Sequence, residues 1–118
     1  MVCHRLLASQ GSDLKPTLVK TYKDGDSWYR LYSDCWIEQG GSVLGSPHWK
    51  EVVFPVKFET IYTVNAILHH HIGGTPMYAN AVANVTNFGM YIGASEGDKK
   101  YWIAYGFISK TTYNSLVN

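Results

Sequence analysis

The chain has 118 residues, 46% of them hydrophobic and 16% charged, which suits one folded domain and excludes wholesale disorder. The formal net charge is +1 and no basic cluster exceeds the pair Lys99–Lys100, so a nucleic-acid groove with its basic stripe is not expected. No apolar run approaches the roughly 18 residues of a membrane-spanning helix, so no membrane insertion is expected either.

The start, MVCHRLLASQGSD, places Arg5 before an apolar stretch too short for a secretory h-region. Residues 1–16 therefore read as a leader ahead of a single domain over 17–118. The two cysteines, Cys3 and Cys35, do not make a disulfide framework, and two free thiols are expected. Residues 17–22 form the first strand candidate, closed by the turn pair Asp24-Gly25. WYRLYS and WIEQ then flank a tight turn at 33–35. In EVVFPVKF, Val52, Phe54, Val56 and Phe58 share one face while Val53, Pro55 and Lys57 share the other. Pro55 has no N–H for a ladder bond, so this strand belongs at an edge or a bulge.

The longest strand candidate is IYTVNAILHHHI, with Tyr62, Val64, Ala66, Leu68, His70 and Ile72 on its more apolar face. FGMYIGA and KYWIAYGF supply two more strands, joined by a five-residue hairpin loop. No window of helical length shows a 3.6-residue period with caps. The alanines of PMYANAVANV, residues 76–85, are the nearest approach, weakened by Asn80, Asn84 and Val85. The expected fold is all-β, an antiparallel sandwich.

Catalytic patterns are missing from the sequence. There is no Gly-x-Ser-x-Gly elbow, no phosphate-binding glycine loop and no nominable pair of carboxylates across a cleft, so a non-enzymatic protein is expected. The run His69–His71 is the sharpest oddity. On a strand, His69 and His71 point the same way, and such a pair can chelate a transition metal. The plainer account is a polar strand end with solvated imidazoles, and no cofactor is expected. The sequon at Asn84–Thr86 is short enough to arise by chance.

The nine Tyr, four Trp and four Phe are more than a small sandwich core readily absorbs, and such rings suit protein interfaces and sugar faces alike. Long loops on a rigid sheet commonly carry binding residues. The loop over 71–87 and the turn over 95–99 are thus the expected binding segments, through Tyr78, Asn80, Asn84, Ser95 and Lys99.

The run DGDSWYRLYSDCWIEQGG, followed by EVVFPVKFETIYTV and closed by YWIAYG, resembles the C-terminal domain of bacteriophage tail fibre proteins, prophage-encoded ones included. That family's hairpin typically reads Trp/Tyr–Arg–x–Tyr/Trp–Ser–Asp–Gly–Trp–x–Glu–Gln–Gly–Gly. Here Trp28 or Tyr29, Arg30, Tyr32, Ser33, Asp34, Trp36, Glu38, Gln39, Gly40 and Gly41 match it. Phe54, Pro55, Phe58 and Tyr62 match further on, as do Trp102, Ala104 and Gly106, so the resemblance spans residues 20–107. Cys35 stands where the family has glycine. His69–His71 and the loop after them match nothing in the family pattern.

The resemblance implies a homotrimeric β-sandwich at the distal tip of a fibre, part of a virion and made in the cytoplasm of the host bacterium. Its partners would be further copies of itself and a host surface glycan or outer-membrane protein. Trp28, Arg30, Tyr32, Trp36, Glu38 and Gln39 would be the scaffold that holds the trimer. A free-standing lectin-like module and a ligand-free assembly domain are the alternatives. A longer parent protein, or a degenerate remnant, is also expected, because MVCHRLL lacks the shaft that should precede a fibre tip.

Overall fold

The computed structural model describes residues 15–44, 49–69, 81–93 and 99–118, with the side chains of 68 and 69 left aside. Eight strands and one helix follow in chain order: β1 (Leu18–Asp24), β2 (Ser27–Tyr32), β3 (Trp36–Leu44), β4 (Trp49–Val53), β5 (Thr60–His69), β6 (Ala81–Ala83), β7 (Gly89–Gly93), β8 (Lys99–Phe107) and α1 (Lys110–Val117). All described strand pairs are antiparallel. They make a five-stranded sheet in the order β1-β2-β3-β8-β5 and a three-stranded sheet in the order β4-β7-β6. The expected all-β, antiparallel fold is what the chain adopts.

Local sequence sets the turns. Gly25 takes φ +61° between Asp24 and Ser27, which face each other across the first hairpin. The second hairpin turns over 33–35, where the Cys35 N–H donates to the Tyr32 carbonyl at 3.0 Å. The Asp34 carboxylate accepts from the Trp36 N–H at 3.2 Å. Cys35 itself sits at φ +71°, the left-handed region that glycine enters freely and cysteine does not. Its side chain is fully buried and disulfide-bonded, which corrects the expectation of a free thiol there. Cys3 lies outside the described residues.

The core lies between the sheets. Tyr29 and Leu31 of β2, Ile37 of β3 and Trp102 and Ala104 of β8 face Val52 of β4 and Met90 and Ile92 of β7, all buried. Phe54, Val56 and Phe58 join them, so the alternation read from sequence holds as a burial pattern. It does not hold as a strand. β4 stops at Val53, before Pro55, and the next stretch is tied across the molecule instead. The Phe54 N–H donates to the Phe88 carbonyl at 2.8 Å and the Phe58 N–H to the Asn87 carbonyl at 2.9 Å. Between them, Gln39 of β3 holds Val56 twice. The Val56 N–H donates to Oε1 at 2.8 Å, and Nε2 donates to the Val56 carbonyl at 2.7 Å.

Two further expectations are corrected. The register of β5 against β8 shifts between Ile61 and Thr63, so Tyr62 leaves the face it would share with Val64 and Ala66. The helical exclusion also fails at the C-terminal end, where α1 forms. Ser109 caps it in extended conformation and accepts from the Thr112 N–H at 3.1 Å. The Lys20 ammonium donates to the Leu116 carbonyl at 2.8 Å and ties the helix to β1, while Tyr113 and Leu116 lean on the core. Within the stretch thought most helical, Ala81–Ala83 is strand β6, and residues 76–80 lie outside the described residues.

Candidate interaction surface

Side chains on the strands of the five-stranded sheet alternate between the core and an outer face. The hairpin motif divides along this line. Trp28, Arg30 and Tyr32 of β2 and Trp36 and Glu38 of β3 lie on the outer face, whereas Gln39 points inward and is fully buried. Arg30 is paired in register with Glu38. Glu38 in turn accepts from the Trp36 indole N–H at 3.3 Å.

The diglycine serves both faces at once. A Cβ on Gly40 would run into the Trp28 indole on the outer side. On the inner side, a Cβ on Gly41 would come within 2.9 Å of the Trp102 Nε1 and of the Asp26 carbonyl oxygen. Both glycines are needed so that one tryptophan can lie on each face of β3. Much of the hairpin's aromatic surface is therefore spent on its own sheet.

A second aromatic group gathers beside it. Trp36 meets Phe107 edge-on at 5.1 Å and Tyr62 edge-on at 5.2 Å, and it lies parallel to Tyr105 at 6.3 Å. Tyr62 and Phe107 are 5.4 Å apart, also edge-on. The bulge in β5 is what swings Tyr62 into this group. Sequence alternation put Tyr62 on the opposite side, and nothing local marks the register shift.

Towards β5 the outer face turns apolar and open. Tyr62 is 63% exposed, Ile67 62% and Tyr101 44%. A shallow hollow of about 110 Å³ opens there, lined by Asn65, Ile67, Tyr101, Trp102 and Ile103. Single exposed apolar side chains are ordinary, but neighbouring ones on a flat sheet are a feature of contact surfaces.

The expected receptor residues are only partly placed. Asn84 follows β6, exposed and at φ +52°, and Lys99 opens β8 with its ammonium 5.8 Å from the Tyr101 ring centroid. Tyr78, Asn80 and Ser95 lie outside the described residues. The metal pair is likewise untouched: His69 ends β5 opposite Lys99 in register, its side chain is not described, and His71 lies outside. Among the described residues no group of three or more His, Cys, Asp or Glu side chains is placed to hold a metal ion. None of the helices among them is long and apolar enough to cross a membrane.

No protein-family model matches the chain, and no curated protein does. Solved structures do. An N-truncated R2-type pyocin tail fibre superposes with a TM-score of 0.59 at 21% identity, over 76% of this chain and 39% of that one. The R2 pyocin fibre of P. aeruginosa, a C-terminal fragment, gives 0.63 at 18% identity, over 88% of this chain and 30% of that one. The likeness is one of fold. This chain spans between three tenths and two fifths of the length of the pyocin fibre chains it matches.

Proposed function

We propose that this chain is a receptor-binding tip domain of a phage-tail-type fibre, non-enzymatic and working as a homotrimer. The observation that carries the reading is the shared fold with R2 pyocin tail fibre structures, reached from a sequence whose hairpin motif resembles phage fibre tips. Its setting would be a virion or a phage-tail-like particle, and its target a host surface glycan or outer-membrane protein.

The sheet edges support self-association. β1 carries Lys20, Lys23 and Asp24, and β4 carries Lys50 and Glu51, charges of the kind that keep edges from pairing. β5 is ten residues long, has no proline, and carries no Asp, Glu, Lys or Arg. It is the last strand in the described order of the five-stranded sheet, beside the exposed Ile67 and Tyr101, and a second copy is the partner that fits those side chains. Receptor contact falls to the loop over 71–87 and the turn over 95–99, with Tyr78 stacking on a sugar ring and Asn80 or Asn84 bonding its hydroxyls.

Light scattering on the intact chain beside a host-cell binding assay tests this. The expected mass is three times 13.3 kDa, with binding to cells. Ile67→Lys is expected to shift the mass to that of one chain without unfolding it. A monomer that binds sugar would favour a lectin-like module, and a trimer that binds no cells a ligand-free assembly domain.

A further inference from the structure

We infer that a polar hollow between the stretch after β4, the turn before β7 and the start of α1 is a saccharide subsite, sharing only Asn87 with the loops proposed above. The hollow holds about 180 Å³ and is lined by Lys57, Phe58, Glu59, Asn87, Ser109 and Thr112. That is smaller than the several hundred Å³ of a drug-sized pocket and suits a single sugar ring. The inference rests on reading the chain as a surface-recognition domain.

The lining chemistry selects the ligand class. Lys57 offers donors, Glu59 and Ser109 acceptors, and Asn87 and Thr112 offer both. A free anion would meet the Glu59 carboxylate, and a metal ion would find one carboxylate beside an ammonium. A polyol, whose every hydroxyl both donates and accepts, can use the whole set. Phe58 is fully buried behind the hollow, and the apolar surface that a sugar's C–H face requires comes from the neighbouring Phe88, 61% exposed, with the Lys57 ammonium 4.9 Å from its ring centroid.

The walls are held before any ligand arrives. Asn87 is fixed through its own carbonyl, which accepts from the Phe58 N–H at 2.9 Å. Glu59 is fixed through its N–H, which donates to the Phe107 carbonyl at 2.8 Å. The Thr86 hydroxyl accepts from the Phe88 N–H at 3.2 Å and the Gly89 N–H at 3.3 Å, bracing the turn. Ser109 donates to the Thr112 hydroxyl at 2.9 Å, which orients that oxygen and leaves its proton for a ligand. The Asn87 amide makes only a long bond of 3.4 Å, to the Glu59 carbonyl, and a sugar hydroxyl can replace it. Such preorganisation lowers the cost of binding a small ligand.

Saturation-transfer NMR on the intact chain tests the subsite, with a panel of free neutral hexoses, N-acetylhexosamines and hexuronic acids at millimolar concentration. At least one sugar is expected to receive saturation. Asn87→Ala and Glu59→Ala, both at exposed positions, are each expected to weaken it about tenfold, the loss of one hydrogen bond to an amide or charged group. Glu51→Ala, on the exposed side of β4, should leave it unchanged, and thermal melts confirm that all three variants fold. No transfer from any sugar, or transfer undiminished in both hollow variants, overturns the subsite. A chain that trimerises and binds cells yet fails this test keeps the fibre reading and loses only the subsite. One that passes as a monomer without binding cells does the reverse.

Discussion

Gln39→Leu removes the one side chain by which the five-stranded sheet grips Val56. The native amide makes two bonds, of 2.7 and 2.8 Å, to a residue only 6% exposed, and Gln39 itself is fully buried. Leucine fills nearly the same space but leaves a buried N–H and a buried carbonyl without partners. Each such orphan costs about 1–3 kcal/mol. The sum, roughly 2–6 kcal/mol, is a large part of the 5–15 kcal/mol that typically holds a domain together. For a chain of this size the melting midpoint should fall by roughly 8–24 °C. Hydrogen exchange should quicken at the Val56 amide before it does in β3 or β8.

Gln39→Glu separates hydrogen bonding from packing. A carboxylate can accept from the Val56 N–H, but its second oxygen then faces the Val56 carbonyl. Burial and that carbonyl both disfavour the charge, so the introduced carboxyl should titrate above the ordinary value of about 4.3 in the folded protein. The sign follows: the variant keeps its stability below the unfolded-state pKa and loses it as pH rises through the raised folded value. Thermal melts followed by circular dichroism, run as differences from the parent at each pH, should show the gap widening from acid to neutral. If Gln39→Leu melts within about 2 °C of the parent, far less than two unsatisfied buried groups would cost, the Gln39–Val56 clasp is not what secures this stretch.

Cys35→Gly relieves about 1–2 kcal/mol of left-handed strain but gives up a disulfide typically worth about 2–4 kcal/mol. Denaturant midpoints should therefore place the variant below the parent without reductant and close to or above it with reductant. Gly40→Ala should cost about 1–3 kcal/mol by pressing a Cβ into the Trp28 indole, and much less in a Trp28→Ala background, so a double-mutant cycle should show strong coupling. The Tyr22 phenol, stacked on Tyr29 at 4.9 Å, is held above its ordinary value by lost hydration and then by the Asp24 charge and hydrogen bond. Because the unfolded chain ionises first, near pH 10, the stability tied to this group is complete below that pH and lost as pH rises through the folded value. Phenolate absorbance should show Tyr22 moving back towards its ordinary value in Asp24→Asn.

Alternation made the strands legible because a half-buried strand must place apolar side chains every second residue. It succeeded for β2, β3 and β8, and even for Phe54, Val56 and Phe58, which are buried in order though they belong to no strand. Burial and ladder pairing are separate facts, and only burial is written in the apolar pattern. The bulge in β5 escaped notice because a one-residue shift changes the face without changing composition. The helix α1 escaped because it is short, carries two threonines in its first turn, and is secured from outside by the Ser109 cap and the Lys20 bond to Leu116. Of the hairpin motif, the tight turn and diglycine were visible. The inward turn of Gln39 follows from its parity with Ile37, a clue available in the sequence but unused. The cluster of Trp36, Tyr62, Tyr105 and Phe107 comes from three strands distant in sequence, and no local pattern foretells it.

The aromatic hairpin and the β5 end of the sheet therefore play different physical parts. Trp28 is spent on Gly40, Trp102 lies against Gly41, and Trp36 stands within its own ring cluster, so the hairpin largely satisfies itself. Truncating Trp36 should damage the fold before it touches any partner. At the other end of the sheet, Ile67 and Tyr101 stay exposed, and β5 itself carries no Asp, Glu, Lys or Arg. A monomer gains nothing from that arrangement and risks aggregation. A chain that closes on copies of itself converts the same side chains into buried interface, and that is why the proposed trimer contact belongs at β5 and β8 and not at the motif that makes the sequence resemble a fibre tip.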